Sequence, residues 1–399
     1  MKKVGAIFLL IMIIAVLSAC SGEKTDTIKI GSIHPITGSM AEAGQALVNA
    51  QQIAVDEINA AGGIGGKKVE LSVIDSQGSA GGASVAARKL INNGCIALTG
   101  AYTSGSAQAV SQEAERGKTP FVVTVAASAD LLSRGYEYSF RIQPSVTVFS
   151  KNFVSFFNEY VKKNIKAELR TCVLIYEDSN YGAGIAEYIK EHIDETGLEI
   201  IGDISYSAST ATLSSEVTRL EKLKPDLLIP IGYKNDQTIL VNELLSRNVN
   251  FKSVIGVANG AFSDPDFLRS YGKKVNGYID INYRYNPNSP NTEYLCKKYR
   301  EIYGKDIPVA AIYGYESIKV IADAAERCEG DVSAQSICEA LKKTSISDHV
   351  LPQKLIEFDS SGEDLYASGV MIQIQDGSPV VLYPTEYADK NAQFLQPGE

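Results

Sequence analysis

From residue 27 onward two hydrophobic rhythms alternate along the chain. Residues 28–33 and 69–75 alternate apolar and polar side chains, as a half-buried strand does. Between them, residues 40–60 carry Ala43, Ala46, Leu47, Ala50, Ile53, Ala54 and Ile58 at helical spacing, and Gly62-Gly63 stops the helix. The same beat continues: helix over 82–92, strand over 96–99, helix over 104–116 closed by Gly117, strand over 119–125, short helix over 129–133. After Pro144 it starts again. Helices are predicted over 146–163, 181–196, 213–223 and 236–247, with strands over 171–176, 199–206, 227–231 and 253–257. Strand–helix alternation of this kind specifies parallel sheets covered by helices on both faces. Two such series, each about 120 residues long, predict a two-lobed α/β protein. The C-terminal part adds helices over 291–303, 310–328 and 333–342. Hairpin-like strands over 354–358 and 369–374 follow, joined by the turn-rich Asp359-Ser360-Ser361-Gly362.

The first 26 residues break the rhythm. Met1-Lys2-Lys3 is basic, residues 4–17 are an unbroken apolar run, and Leu17-Ser18-Ala19-Cys20 follows. The run is too short to span a bilayer and has the layout of an export signal. The ending resembles a lipobox, so cleavage before Cys20 and lipidation of its sulfur are expected, leaving 1–19 as signal peptide and 20–26 as tether. The remaining chain is then extracytoplasmic and held to a membrane by lipid. Five cysteines remain, with no C-x-x-C pair and no Cys/His cluster that suggests zinc. Export permits a Cys328–Cys338 disulfide, which spacing alone leaves open. The net charge of −9 disfavours nucleic acid as a partner.

Candidate chemistry sits at strand ends. Tyr102, Thr103, Ser104 and Ser106 crowd the loop between a strand and a helix start. Unpaired helix-start amides and hydroxyls suit a carboxylate. Ser104 also reads as an ordinary N-cap. Ser128 stands in the same way, between a strand and the short helix predicted at 129. Enzyme signatures are missing from the sequence: the three histidines are far apart, there is no G-x-S-x-G, and the glycine-rich 62–68 lacks a Walker Ser/Thr and follows a helix. No catalytic residue, metal site or cofactor is expected.

The segments IKIGSIHPITGSMAEAGQ, AVDEINAAGGIGGKKVELSVID, LTGAYTSGSA, TPFVVTVAAS, YEDSNYGAGIA, IPIGYKNDQ and AIYGYESI, in this order and spacing, resemble the bacterial leucine/isoleucine/valine-binding proteins, which are periplasmic binding proteins of type I. The resemblance runs from about residue 28 to 383. It implies a Venus-flytrap fold: two Rossmann-like lobes joined by three crossovers, near Pro144, near 278–280 and near Leu351-Pro352. Lobe one is then 27–144 with 280–351, lobe two is 145–279 with 352–390, and 391–399 is a tail. It implies a monomer that binds an apolar or branched-chain amino acid between the lobes and delivers it to an ABC permease complex. Ser104 aligns with a ligand-carboxylate donor. Ala126 aligns with a contact made through the backbone, and Ser128 with one made also through its hydroxyl. Tyr181 and Tyr233 align with lid contacts of lobe two.

Two positions depart from the pattern. Where the family carries an acid for the ligand's ammonium group, after the 253–257 strand, Asn259 is the best match and Asp264 the nearest carboxylate. Ala43 stands where an aromatic is common, which leaves room for a bulkier ligand side chain. The lobe-one disulfide is absent, with Ser76, Gln77 and Thr103 in that neighbourhood. A sensor module and a binder of other carboxylates or amides remain alternatives.

Overall fold

The computed structural model describes residues 27–328 and 330–396. The export signal and Cys20 lie outside the described residues. In chain order the elements are β1 (Ile28–His34), α1 (Ala41–Ala60), β2 (Val69–Asp75), α2 (Ala80–Asn92), β3 (Ala97–Gly100), α3 (Ser104–Gly117), β4 (Phe121–Val123) and β5 (Ser139–Arg141). Then come α4 (Val146–Phe156), which runs on through a π-type turn at Phe157–Val161, β6 (Thr171–Glu177), α5 (Gly182–His192), β7 (Glu199–Tyr206), α6 (Ser214–Leu223), β8 (Leu227–Ile231), α7 (Lys234–Ser246), β9 (Ser253–Val257), α8 (Pro265–Tyr271) and β10 (Ile279–Asn282). The chain ends with α9 (Pro290–Tyr303), α10 (Val309–Glu326), α11 (Ala334–Leu341), β11 (Val370–Gln375) and β12 (Ser378–Tyr383).

The strands form two sheets. The first is ordered β2-β1-β3-β4-β5 and all its pairs are parallel. The second is ordered β12-β11-β10-β9-β8-β6-β7; its parallel part, β7-β6-β8-β9-β10, repeats the strand order of the first. Alternation decides which helices cover which face. Ile28, Ile30, Ala97, Val122 and Phe140 pack beneath α1, α9, α10 and α11, while Ile33, Leu98, Phe121 and Val123 pack beneath α2 and α3. In the second sheet Cys172, Leu174, Ile229 and Ile255 face α4 and α5, while Val173, Ile175, Leu228 and Val254 face α6, α7 and α8. The fold is thus two three-layer α/β/α lobes.

α10 crosses α1 at Gly314, where a Cβ would stand 2.6 Å from the Leu47 carbonyl oxygen. Only a glycine admits so close a backbone approach. Helices from residue 290 onward therefore complete the lobe begun by residue 28. β10 keeps residues 279–282 with the second sheet, a few residues past the crossover expected at 278–280.

Expectations about particular segments need correction. Residues 354–358 form no hairpin with 369–374. They make single bridges, Ile346 with Ile356 and Phe358 with Asp364, and Phe358 packs on Phe140 at 5.2 Å. The hairpin is β11 with β12, around Asp376-Gly377. Glu363 bridges Arg141 at the edge of the first sheet. Residues 129–133 are turns, not a helix. Cys328 and Cys338, left open above, are both free thiols.

Candidate functional site

In a sheet of order 2-1-3-4-5 the helices change sides between β1 and β3, and the loops there part to leave a crevice. Both sheets obey this. The β3–α3 loop carries Tyr102 and Thr103 and leads into Ser104, the first residue of α3; the β6–α5 loop carries Tyr181 and the β8–α7 loop carries Tyr233. The two crevices face each other.

At the head of α3 the N-cap is Thr103, whose hydroxyl accepts from the Ser106 amide at 3.3 Å. Ser104 is one residue inside the helix, so the ordinary cap role expected for it belongs to its neighbour. Helix geometry leaves the amides of Ser104 and Gly105 without intrahelical acceptors. The Ser104 hydroxyl accepts from the Ser128 amide at 3.2 Å, which ties the turn after β4 to this helix start. Ser128 caps no helix, and its buried hydroxyl has no partner among the described residues. Its carbonyl accepts from Arg141 at 2.7 Å; the Ala126 carbonyl accepts from the same guanidinium at 3.4 Å. Arg141 is fully buried and pairs on its other side with Glu363. The Ala126 side chain lies in the core, and Ala127 is the residue on the cavity wall. Arg141 escaped the sequence reading because its acid partner is 222 residues away.

The second lobe presents tyrosines. Tyr181 and Tyr233 stack with ring centroids 5.2 Å apart, and Tyr233 meets Tyr102 of the first lobe at 6.2 Å. The Tyr181 hydroxyl donates to the Ala258 carbonyl. Burial raises the Tyr181, Tyr233 and Tyr283 phenols well above the ordinary value and Tyr102 to about 12, so all four are neutral donors. Tyr283, just past β10, is a wall residue that sequence reasoning missed.

Two chambers share Tyr102, Tyr233, Gly260 and Tyr283. The inner one, bounded also by Ser104, Ala127 and Tyr181, measures about 20 Å³. That is about the room one water needs. The outer one measures about 400 Å³, within the range of small-molecule sites. Ala43 lines it together with Met40, Ile239, Pro308, Val309 and Ala310, so the missing aromatic is part of its breadth. At the rim Lys234 reaches Glu42 of the first lobe at 3.0 Å while also meeting Asp264 at 3.0 Å and Asp266 at 3.3 Å. Asn235 donates to the Ser39 carbonyl at 3.1 Å. The lobes touch, and Tyr102, Tyr233 and Tyr283 line both chambers.

Asn259 lines the outer chamber, but its amide is engaged within its own lobe. The nitrogen donates to Gln237 at 2.8 Å and the oxygen accepts from the Ala261 amide at 3.0 Å. Asp264 is engaged as well: it caps α8 through the amides of Asp266 and Phe267 and pairs with Lys234. Both side chains named for the ligand's amine are thus engaged by protein partners. The chain of bonds continues instead. Gln237 donates to the Tyr206 hydroxyl at 2.6 Å, and Tyr206 donates to Asp236 Oδ2 at 2.6 Å. Gly232 makes room for this cluster; a Cβ there would stand 2.2 Å from Asp236 Oδ2. Asp236 is 1% exposed, lines the outer chamber, and its Oδ1 has no partner among the described residues. Burial raises its carboxyl to about 7, against the pull of the Tyr206 hydrogen bond. Among the described residues no cluster of His, Cys, Asp and Glu is arranged to hold a metal ion, and no helix is long and apolar enough to cross a membrane.

Comparison with known proteins agrees with this architecture. Leu/Ile/Val-binding protein homolog 7 of Brucella abortus (strain 2308) is 26% identical over 392 residues, covering 94% of this chain and 96% of its own length. Homolog 8 from the same strain is 27% identical over 379 residues, covering 92% and 93%. Among solved structures, the branched-chain amino acid transporter substrate-binding protein LivJ of Streptococcus pneumoniae str. Canada MDR_19A, in complex with isoleucine, superposes with a TM-score of 0.79. It is 24% identical, and the match covers 90% of this chain and all of that one. A solute-binding protein of an ABC transporter from R. palustris, in complex with benzoate, gives 0.77 at 18% identity, covering 89% and 95%. The family described as periplasmic binding protein matches residues 27–377, and this chain belongs to it.

Proposed function

We propose that the protein is an extracytoplasmic solute-binding lipoprotein of an ABC importer, anchored through Cys20, that holds a small carboxylate-bearing solute between its lobes. The first lobe is read as 27–144 with the segment from 283 to 364, and the second as 145–282 with 365–396. The carboxylate meets the head of α3: the free amides of Ser104 and Gly105, the Ser104 hydroxyl proton and the Ser128 hydroxyl. Tyr181 and Tyr233 close over the solute from the second lobe, displacing the contact that Tyr233 makes with Tyr102. An apolar amino acid fits the apolar side of the outer chamber. The observation that carries the reading is the buried, unpartnered Ser128 hydroxyl beside a helix start whose first two amides have no intrahelical acceptor. Buried polar groups in folded proteins are normally paired.

A hydrogen bond to a charged group contributes about 1.5–3 kcal/mol. Ser104→Ala should therefore weaken carboxylate binding by roughly ten- to hundred-fold in calorimetry. Normal affinity in both Ser104→Ala and Ser128→Ala would refute the carboxylate site. Cys20→Ser should move the protein from the membrane to the soluble fraction; unchanged retention would refute the anchor. A second reading, an aromatic carboxylate, draws support from the breadth of the outer chamber and from the structural neighbour solved with benzoate. Benzoate belongs in the same calorimetric series.

A further inference from the structure

The outer chamber has an electrostatic sign opposite to that of the helix start. Its wall carries the carboxylates Glu42, Asp236 and Asp264 against the single ammonium of Lys234. Lys234 is held by Glu42 and Asp264, together with Asp266 behind them. Asp236 is left over. Its Oδ2 is the end point of the chain Asn259–Gln237–Tyr206, in which each donor points toward the carboxylate. That chain fixes the carboxyl plane and occupies one oxygen only. The other, Oδ1, is buried with no hydrogen-bond partner among the described residues, and Asp236 lines the chamber. An uncompensated buried carboxylate oxygen is costly unless something brings it a proton or a positive charge.

We propose that Asp236 reads a protonated amine on the solute, its Oδ1 accepting the amine N–H. The solute is then a zwitterion, its carboxylate at the head of α3 and its ammonium group toward α7. This rests on the carboxylate site proposed above. Asn259 acts as a positioning residue at the far end of the chain of hydrogen bonds. An acid in the first turn of α7 also complements the helix dipole. A role in folding alone would lower stability without changing which solutes are preferred.

The test is calorimetry at pH 8 with two matched pairs: L-leucine against 4-methylpentanoate, and L-phenylalanine against 3-phenylpropionate. The wild type should favour the amine-bearing member of at least one pair by about ten-fold or more, as a charge-assisted hydrogen bond allows. Asp236→Asn should lose most of that ratio while still binding the deaminated member. Ser104→Ala should weaken both members alike and leave the ratio intact. Asn259→Ala should reduce the ratio less than Asp236→Asn does. If the carboxylates bind with no preference for the amine, or if the preference survives Asp236→Asn, the assignment of Asp236 is overturned and the carboxylate site stands. If none of the four binds, both are overturned.

Discussion

Arg141→Met removes the one guanidinium that holds the Ala126–Ser128 turn. The side chain is completely buried, and it bonds to Glu363 and to the carbonyls of Ala126 and Ser128. Breaking a buried ion pair from one side costs about 3–5 kcal/mol. Here the acid is 30% exposed and regains some hydration, which pulls toward the lower end. The Ala126 carbonyl pulls the other way, since a buried acceptor left unpaired costs about 1–3 kcal/mol, while the Ser128 carbonyl keeps the Leu131 amide at 3.4 Å. A loss of about 3–5 kcal/mol is therefore expected. At about 2–4 °C per kcal/mol for a domain of this size, the lobe-one melting transition should fall by about 6 °C or more. The readouts are a circular-dichroism melt and solute calorimetry on the same preparation. Solute affinity should fall as well, because the Ser128 hydroxyl and amide are carried on the released turn. Arg141→Lys should rescue little, since an ammonium cannot span two carbonyls and a carboxylate in one plane. Glu363→Gln, which keeps hydrogen-bonding atoms on the exposed side, should cost less than either. A melt within about 2 °C of wild type would refute the energetic reasoning. A large drop in melting temperature with full affinity would show that Arg141 supports the lobe and not the site.

Thr103→Ala should lower stability by about 1 kcal/mol through the lost cap, read as a shift in urea midpoint, with a smaller effect on solute affinity than Ser104→Ala; the reverse order would undo the assignment of cap and donor. Lys234→Met cuts the Glu42 contact across the cleft, so X-ray scattering without solute should give a larger radius of gyration, and solute should restore compaction; an unchanged radius would mean that the rim contacts do not hold the lobes together. Glu316 is buried and burial raises its carboxyl from 4.5 to about 7, so the folded state keeps a proton that the unfolded chain releases. Its contribution is fully present below about pH 4.5 and is lost as pH rises toward 7, amounting to about 3 kcal/mol. Glu316→Gln should therefore gain stability relative to wild type between pH 4.5 and 7 in urea titrations, and parallel pH profiles would contradict the buried-acid assignment.

The strand–helix order was legible because both faces of each sheet are covered, which writes long apolar runs into the strands and one apolar face into each helix. What was missed had weak local signals. α8 follows Asp264-Pro265, an N-cap with proline at the first helical position, and that pair was available to be read. β12 contains Pro379 and is tolerated because it is an edge strand. Residues 354–358 have strand composition, yet they fold against β5 and α10, a choice made by Arg141 and Phe140 far away in the chain. In the site, Ser104, Tyr181 and Tyr233 could be found as residues following strands at a crevice. Asp236 could not, because an acid in the first turn of a helix is ordinary until its unpaired oxygen and its neighbours are known.

The crossing of α10 over α1 has a consequence for how the chain acquires its structure. The Tyr315 hydroxyl bonds to Glu57 across a sequence separation of 258 residues, and Gly314 seals the same contact. A chain emerging from its N-terminus exposes the apolar face of α1 until residue 325 or so has appeared. The parallel core of the second sheet, by contrast, is complete once β10 is made. Loop closure over such a span is slow, and the waiting surface is open to aggregation or to a chaperone. The parallel core of the second sheet should thus gain hydrogen-exchange protection first, and the last helices should act as the clasp that ends folding.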